Sequence, residues 1–317
     1  MNKQYWQWRY RKARLRLKRR LYSLLYQDNY PNIERTILVA GTGRSGTTWL
    51  GDLIAAPYSC RIMFEPFYAG KVPAFNQFAY FQYMRPQEAN PDLYAVCQTV
   101  FTGQIRDPWI DHQIEVLRPR CRLIKEIRAN LFLKWLHVQF PTIPILFIIR
   151  HPCAVVASRM QLGWATDGDL QPMLAQEKLV TDYLANQMNS IYQANTPESK
   201  HALIWCISNL IPLRQFAPGE IKIVFYEHLC TQPEVEIPAI FAALGLDVPA
   251  AIQTQLKTPS TTSLPDSAIV TGANQLDRWQ TYLNSEQVRR IMAIVTAFGL
   301  DYLYGDSLTP QVTTGFR

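Results

Sequence analysis

The sequence predicts an α/β fold, namely a single domain built on a P-loop-like, mostly parallel sheet with helices on both faces. Two observations support this fold class. Short apolar, β-branched runs alternate with helical stretches, and the first run breaks into a loop of glycines and hydroxyls before a helix. The chain has 317 residues and is 48% hydrophobic, enough for one large core. We expect an N-terminal extension over residues 1–25 and one domain over 26–317.

The individual elements follow from the periodicity of the apolar residues. The predicted strands are Ile37–Ala40, Arg61–Phe64, Arg122–Lys125, Ile145–Ile149 and Ile221–Phe225. The predicted helices are Thr47–Ala56, Leu131–Gln139, Cys153–Gln161, Leu179–Ala194, Ala202–Gln215, Val235–Leu244 and Ser285–Phe298. Segments 66–119 and 162–178 are rich in Pro, Gly, Asn, Asp and aromatic residues, and their weak periodicity predicts long loops of the kind that bind substrates.

The charge is concentrated at the N-terminus. The net charge is +7, yet residues 1–20 contain nine Lys or Arg and no acidic residue, so the remainder is slightly negative. A basic segment with Trp and Tyr side chains is suited to an anionic membrane surface or another polyanion. The alternative is a solvated helix that packs Leu21, Leu24 and Leu25 on the domain. We expect no specific nucleic-acid partner.

Other properties of the chain exclude some classes of protein. No apolar run approaches the 18 or so residues of a membrane span. The six cysteines are scattered, without zinc-site spacing, which favours free thiols in a reducing compartment and no metal site. We therefore expect a cytoplasmic protein, with a peripheral position at the membrane as the alternative location.

The loop after the first predicted strand has the outline of a phosphate-binding P-loop. It reads Gly41-x-x-x-x-Gly46-Thr47-Thr48, but Thr47 occupies the place where the P-loop pattern has lysine. The fixed positive charge in the loop is Arg44. A phosphate site is therefore expected, without the usual means of reaching a γ-phosphate.

A second anion-binding element follows the predicted strand Ile145–Ile149. That strand ends in Arg150, and Pro152 then opens a helix that carries Ser158. In a nucleoside triphosphatase the matching strand commonly ends in a magnesium-binding Asp. A guanidinium at the end of a parallel strand is instead suited to a second phosphate.

Together these two motifs resemble those of the sulfotransferases that use 3′-phosphoadenosine 5′-phosphosulfate (PAPS). The resemblance runs from about residue 36 to 300 and is closer to the carbohydrate and tyrosylprotein branches than to the cytosolic small-molecule branch. It implies a catalytic domain over 26–317, PAPS as donor, adenosine 3′,5′-bisphosphate (PAP) as product, and no metal. The donor-binding residues it implies are Gly43, Arg44, Ser45, Gly46, Thr47, Thr48, Trp49, Arg150, Ser158 and Tyr226. Trp49 is similar to the tryptophan that packs on adenine, although packing in the core with Leu53 is the alternative.

Four residues are candidates for the chemistry of sulfuryl transfer. Glu65 lies in the apolar frame Phe64-Glu65-Pro66-Phe67, which should raise its pKa. The resemblance makes Glu65 the general base, and Lys125 and Arg44 the cations that stabilise the sulfuryl group. A loop serine, for which we choose Ser260 over Ser263, is implied as well. The alternatives are a structural carboxylate for Glu65 and a surface position for Lys125.

The sequence thus predicts an enzyme that moves a sulfuryl group from PAPS to a hydroxyl acceptor, which is a glycan, a lipid or another alcohol. Glu126-Ile127-Arg128 stands where the small-molecule branch has its histidine base, which favours carbohydrate sulfation over simple phenols. One rival is a P-loop kinase or nucleotide hydrolase. Another is a non-catalytic protein that binds a polyanion or a membrane on this scaffold.

Overall fold

Five parallel strands form the central sheet of the protein, in the order β2-β3-β1-β4-β5. The structure is a computed structural model that describes residues 14, 17–250, 252–256, 274–305 and 307–312, except the side chains of residues 253 and 254. The strands are β1 (Thr36–Gly41), β2 (Cys60–Phe64), β3 (Cys121–Glu126), β4 (Ile145–Ile149) and β5 (Lys222–Phe225). All five predicted strands are confirmed, with ends that differ by at most one residue.

Helices cover both faces of this sheet, as predicted. Alternate residues of β1 point to opposite faces, so that Ile37 and Val39 enter one buried cluster and Leu38 and Ala40 enter the other. In the described part of the chain, the first α-helix covers residues 17–25. The later α-helices of more than four residues are α1 (Thr47–Tyr58), α2 (Pro91–Phe101), α3 (Leu133–Gln139), α4 (Pro152–Gln161), α5 (Asp167–Leu174), α6 (Met188–Gln193), α7 (Pro197–Gln215), α8 (Tyr226–Thr231), α9 (Pro233–Ala243), α10 (Ile252–Leu256) and α11 (Ser285–Ala297).

The two segments predicted to be long loops contain helices. Helix α2 lies within 66–119, where the Asn90 side chain accepts a hydrogen bond from Leu93 N and Pro91 occupies the first turn. Helix α5 lies within 162–178. The Pro, Asn and aromatic residues that weakened the helical pattern in 66–119 are thus partly helix-starting signals.

One predicted helix is interrupted. The stretch 179–194 was expected to be a single helix, but a π-helical turn at Val180–Leu184 and a 3₁₀ turn at Ala185–Gln187 precede α6. Within the π-helical turn, the Asp182 carboxylate accepts hydrogen bonds from Tyr83 and Arg85. The sequence pattern did not reveal this change of helical pitch because apolar spacing alone does not distinguish it.

The expectation of free cysteines is wrong for two of the six. Cys60 and Cys121 are register partners at the start of β2 and β3 and form a disulfide. The other four cysteines are free thiols, three of them buried. Sequence spacing could not show this pairing, because 61 residues separate the two sulfurs in the chain.

The carboxyl ends of the strands lie at one edge of the sheet, since all five strands are parallel. Following the strand order, that edge carries Glu65, Lys125, the loop Thr42–Gly46, Arg150 and Tyr226. The strand order therefore sets the order in which the predicted site residues lie along this edge. No helix of the described residues is long and apolar enough to cross a membrane.

Candidate active site

The loop between β1 and α1 forms a tight backbone cradle. Ser45 N donates to Thr42 O at 2.9 Å, and the loop passes through left-handed conformations at Arg44 (φ 80°) and Gly46 (φ 104°). A Cβ on Gly46 would lie 2.7 Å from the ring of Tyr226, so only glycine fits there. The hydroxyl of Thr42 accepts a hydrogen bond from Asn209 of α7, and this bond ties the loop to α7.

Arg44 joins the two motifs that are far apart in sequence. Its Nε donates to Ser158 Oγ at 3.0 Å, and its carbonyl accepts from Arg150 Nη1 at 3.3 Å. Burial lowers the pKa of Arg44, and the neighbouring Arg150 lowers it further. Two guanidinium groups that repel each other electrostatically in a partly buried site favour the binding of an anion.

Arg150 is held in position through its backbone. Its carbonyl accepts a hydrogen bond from Trp205 Nε1 at 3.0 Å, and the next residue, His151, donates its backbone N–H to Glu227 at 2.9 Å. The guanidinium lies 4.2 Å above the ring of Tyr226. The ring of Trp279 stacks on that of His151, with ring centroids 5.0 Å apart.

Trp49 and Tyr226 form the aromatic part of this region. Their ring centroids are 5.4 Å apart, and both side chains are almost fully buried. Burial raises the pKa of the Tyr226 hydroxyl, which donates to Gln275. Trp49 lies in one buried cluster with Leu53, so core packing of Trp49 remains compatible with the structure.

Several buried polar atoms of this region make no hydrogen bond with the part of the chain that the structure describes. They are Ser45 Oγ, Arg150 Nε and Trp49 Nε1. Orphaned buried donors are costly, and at a site lined by cations they indicate a bound anion as their natural partner. The residues therefore fit a nucleotide phosphate or phosphosulfate.

Glu65 lies directly after β2, in a left-handed conformation with φ 45°. Lys125 Nζ donates to one carboxylate oxygen and Arg128 Nη1 to the other, and all three residues are at most 7% exposed. Lys125 is on the interior strand β3, so the surface alternative for this lysine is wrong.

The expected rise in the pKa of Glu65 is also wrong. Burial does favour the neutral acid, as the apolar frame suggested, but Lys125 and Arg128 outweigh burial and lower the pKa. The sequence could not reveal this pairing, because the two cations are 60 and 63 residues away. Glu65 is thus a carboxylate that is ionised and ion-paired at neutral pH.

Aromatic rings pack against the cluster formed by Glu65, Lys125 and Arg128. The Arg128 guanidinium lies 3.5 Å over the ring of Tyr68 and 5.0 Å over that of Tyr80, and Lys125 Nζ lies 4.5 Å over Phe64. Trp109 packs edge-on against Phe64 and Tyr68. Aromatic residues of segment 66–119, among them Tyr68, Tyr80 and Trp109, therefore border Glu65 and its partner Arg128.

The described contacts join the predicted site residues in two separate groups at the same edge of the sheet. One group links Arg44 with Ser158 and Arg150, and the other links Glu65 with Lys125. Ser260 and Ser263 lie outside the described residues. Trp164 was not predicted: a Cβ on Gly43 would lie 2.7 Å from its ring, so this side chain covers the loop. In the sequence, only its position in the irregular segment 162–178 could have indicated that Trp164 belongs to the site. The described residues contain no cluster of metal-ligating side chains.

The sequence matches a protein-family model over most of its length. The model of the sulfotransferase family matches residues 36–250, which is more than half of the chain. The chain therefore belongs to the sulfotransferase family, and is a transferase by that membership. A search of curated proteins found no match.

Several solved structures are similar to this chain at low identity. The sulfotransferase domain from the curacin biosynthetic pathway is 15% identical, with 82% of this chain and 96% of that chain covered and a TM-score of 0.45. Mouse sulfotransferase SULT7A1 complexed with PAP is 15% identical, with 86% of each chain covered and a TM-score of 0.44. The sulfotransferase domain of the Synechococcus PCC 7002 olefin synthase is 17% identical, with 85% and 98% covered and a TM-score of 0.43.

Proposed function

We propose that this protein is a PAPS-dependent sulfotransferase that transfers a sulfuryl group to a hydroxyl acceptor. The observation that carries the proposal is the contact of Arg44 with both Ser158 and Arg150, which unites the loop and the second anion element in one cationic site. The loop has no lysine, and Arg150 follows β4 directly, where a kinase or nucleotide hydrolase would place a magnesium-binding Asp.

The donor residues divide along the sheet edge. In the proposal, Gly43, Arg44, Ser45, Gly46, Thr47 and Thr48 hold the 5′-phosphosulfate, Trp49 packs on the adenine, and Arg150, Ser158 and Tyr226 hold the 3′-phosphate. PAPS supplies the activated sulfuryl group, and no metal is required. Ser260 remains a proposed contact to the donor.

Glu65 is the proposed general base, and its ion pairs define how it acts. A carboxylate neutralised by two cations is a weak base, so Lys125 must turn from Glu65 to the donor side before transfer. The freed oxygen then accepts the hydroxyl proton while the acceptor oxygen bonds to sulfur and the bond from sulfur to the leaving phosphate breaks. Lys125 and Arg44 stabilise the charge on the leaving oxygen and the sulfuryl group.

The acceptor is a glycan, a lipid or another alcohol. Tyr68, Tyr80 and Trp109 beside Arg128 present aromatic faces of the kind that stack on sugar rings, so carbohydrates are the first acceptors to screen. Residues 1–25 are proposed to contact an anionic membrane surface or another polyanion. The proposed cytoplasmic location loses one support, because the Cys60–Cys121 disulfide is atypical of a reducing compartment.

The proposal is tested by incubating the full chain with PAPS labelled in the sulfuryl group and a panel of glycans, lipids and simple alcohols. We expect label in one acceptor class with wild type, and at least a hundredfold loss with Glu65→Gln. The exposed Glu177→Gln is the matched control. Equal transfer by Glu65→Gln would remove Glu65 as base, and phosphoryl transfer from ATP in place of sulfuryl transfer would reject the function.

A further inference from the structure

The helix at residues 17–25 exposes four leucines to solvent. Leu17 is 61% exposed, Leu21 49%, Leu24 71% and Leu25 63%. The alternative in which Leu21, Leu24 and Leu25 pack on the domain is therefore wrong. At 3.6 residues per turn, these positions fall within an arc of about 100° on one side of the helix.

The opposite side of the same helix attaches it to the domain. Arg19 Nε donates to Glu115 at 3.1 Å. Tyr26, just beyond the helix, is 1% exposed, and its hydroxyl donates to Asp111 at 3.0 Å. Because Arg19 and Tyr26 project about 160° to 180° away from Leu17 around the helix, the leucines face away from the protein body.

Positive charge flanks the leucine side. Lys18 and Arg20 are exposed and project near the two edges of the leucine arc, and they belong to the nine cations of residues 1–20. A polyanion in solution binds such cations without requiring exposed leucines. A second copy of the chain would bring nine further positive charges against the first nine. An anionic bilayer accommodates both features, since its acyl region takes the leucines and its headgroups take the cations.

We propose that the helix at residues 17–25 docks the protein on an anionic lipid bilayer, with Leu17, Leu21, Leu24 and Leu25 inserted below the headgroups. Lys18 and Arg20 then lie at headgroup level, where long basic side chains extend towards the phosphates. Arg19 and Tyr26 hold the helix to the domain, so the domain is carried to the membrane as one body. This docking does not depend on sulfuryl transfer.

The test is co-sedimentation of the full chain with vesicles of phosphatidylcholine alone or mixed with phosphatidylglycerol. We expect binding to the mixed vesicles that decreases with salt, and roughly tenfold weaker binding for the double variant Leu21→Gln/Leu24→Gln. Val235→Gln/Val248→Gln is the matched control, because these valines are 49% and 43% exposed on other elements. The control should bind as wild type does.

Two results would overturn the proposal. Equal vesicle binding by wild type and Leu21→Gln/Leu24→Gln, or no binding by wild type, would show that the leucines do not enter a bilayer. A wild-type dimer in light scattering that becomes a monomer in the leucine variant, with unchanged vesicle binding, would assign the leucines to a second copy. Retention on heparin by both proteins, combined with loss of vesicle binding in the variant alone, supports the bilayer.

Discussion

Arg44 donates a hydrogen bond to Ser158 at 3.0 Å across 114 residues of sequence. This hydrogen bond joins the loop after β1 to helix α4. Arg150 adds a second link, because it donates to the Arg44 carbonyl. The proposed donor site depends on these two hydrogen bonds of Arg44.

Ser158→Ala should weaken the binding of PAP roughly tenfold, and Arg44→Ala should weaken it by more. A hydrogen bond to a charged group contributes about 1.5–3 kcal/mol, and Arg44 also supplies charge to the anion itself. Isothermal titration calorimetry with PAP measures both effects. Ser190→Ala in α6 and the exposed Arg214→Ala in α7 are the matched controls, and wild-type affinity in both site variants would contradict the proposed donor site.

Glu65→Gln should destabilise the fold by about 3–5 kcal/mol, because it leaves Lys125 and Arg128 buried without their carboxylate. The folded-state pKa of Glu65 lies below the ordinary 4.5, so the ionised carboxylate stabilises the fold above pH 4.5. That contribution is lost as the pH falls through the folded-state pKa. Urea unfolding of both proteins at several pH values should show a difference that shrinks below pH 4.5.

The result that would contradict this prediction is a constant difference between wild type and Glu65→Gln over the whole pH range. The Glu177→Gln control should have the same free energy of unfolding as wild type at every pH. Glu177 is exposed, and its carboxylate forms no ion pair within the described residues, unlike that of Glu65. A folded Glu65→Gln protein that still binds PAP then separates loss of the base from loss of the site.

Gly43→Ala should impair PAP binding through a clash with Trp164, whose ring lies 2.7 Å from the new Cβ. The double variant Gly43→Ala/Trp164→Ala should recover part of the lost affinity, because the clashing ring is gone. Gly46→Ala should lose affinity too, but Trp164→Ala should not rescue it, since the obstacles there are a φ of 104° and Tyr226. Fluorescence titration with PAP measures these affinities.

Failure of Trp164→Ala to restore any affinity to Gly43→Ala would show that Trp164 does not cover the loop in solution. If Trp164→Ala restored affinity to both Gly43→Ala and Gly46→Ala, the predicted difference between the two glycines would be wrong.

Reduction of the Cys60–Cys121 disulfide should lower the free energy of unfolding by about 2–4 kcal/mol, given the 61-residue separation. Guanidinium unfolding with and without reductant measures the loss, and Cys60→Ser should reproduce it in the absence of reductant. Cys230→Ser is the control, because Cys230 is a free thiol. Unfolding that is insensitive to reductant would show that the two sulfurs are not joined.

The sequence allowed the fold to be predicted because short runs rich in apolar and β-branched residues mark the strands, most clearly in β1 and β4. Ile145–Ile149, buried along its whole length, was predicted with its correct ends. The π-helical turn at Val180–Leu184 was missed, because its apolar spacing is compatible with an ordinary helix. Helix α2 was missed because proline and asparagine also mark loops.

The candidate site was predictable only one motif at a time. Arg44 and Arg150 could each be located at a strand end, and the strand order then placed them side by side. The partners of Glu65 could not be predicted, because Lys125 and Arg128 approach it only through the pairing of β2 with β3. For the same reason the direction of its pKa shift was wrong, although the effect of burial was anticipated.

The proposed function depends above all on the binding of a PAPS-type donor by Arg44, Ser158 and Arg150. The most direct measurement is calorimetric titration of the full chain with PAP and with ATP, each with and without Mg²⁺. We expect PAP to bind without Mg²⁺, to lose its binding in Arg150→Ala, and to bind far more tightly than ATP. Binding of ATP that requires Mg²⁺, with no binding of PAP, would contradict the proposed function.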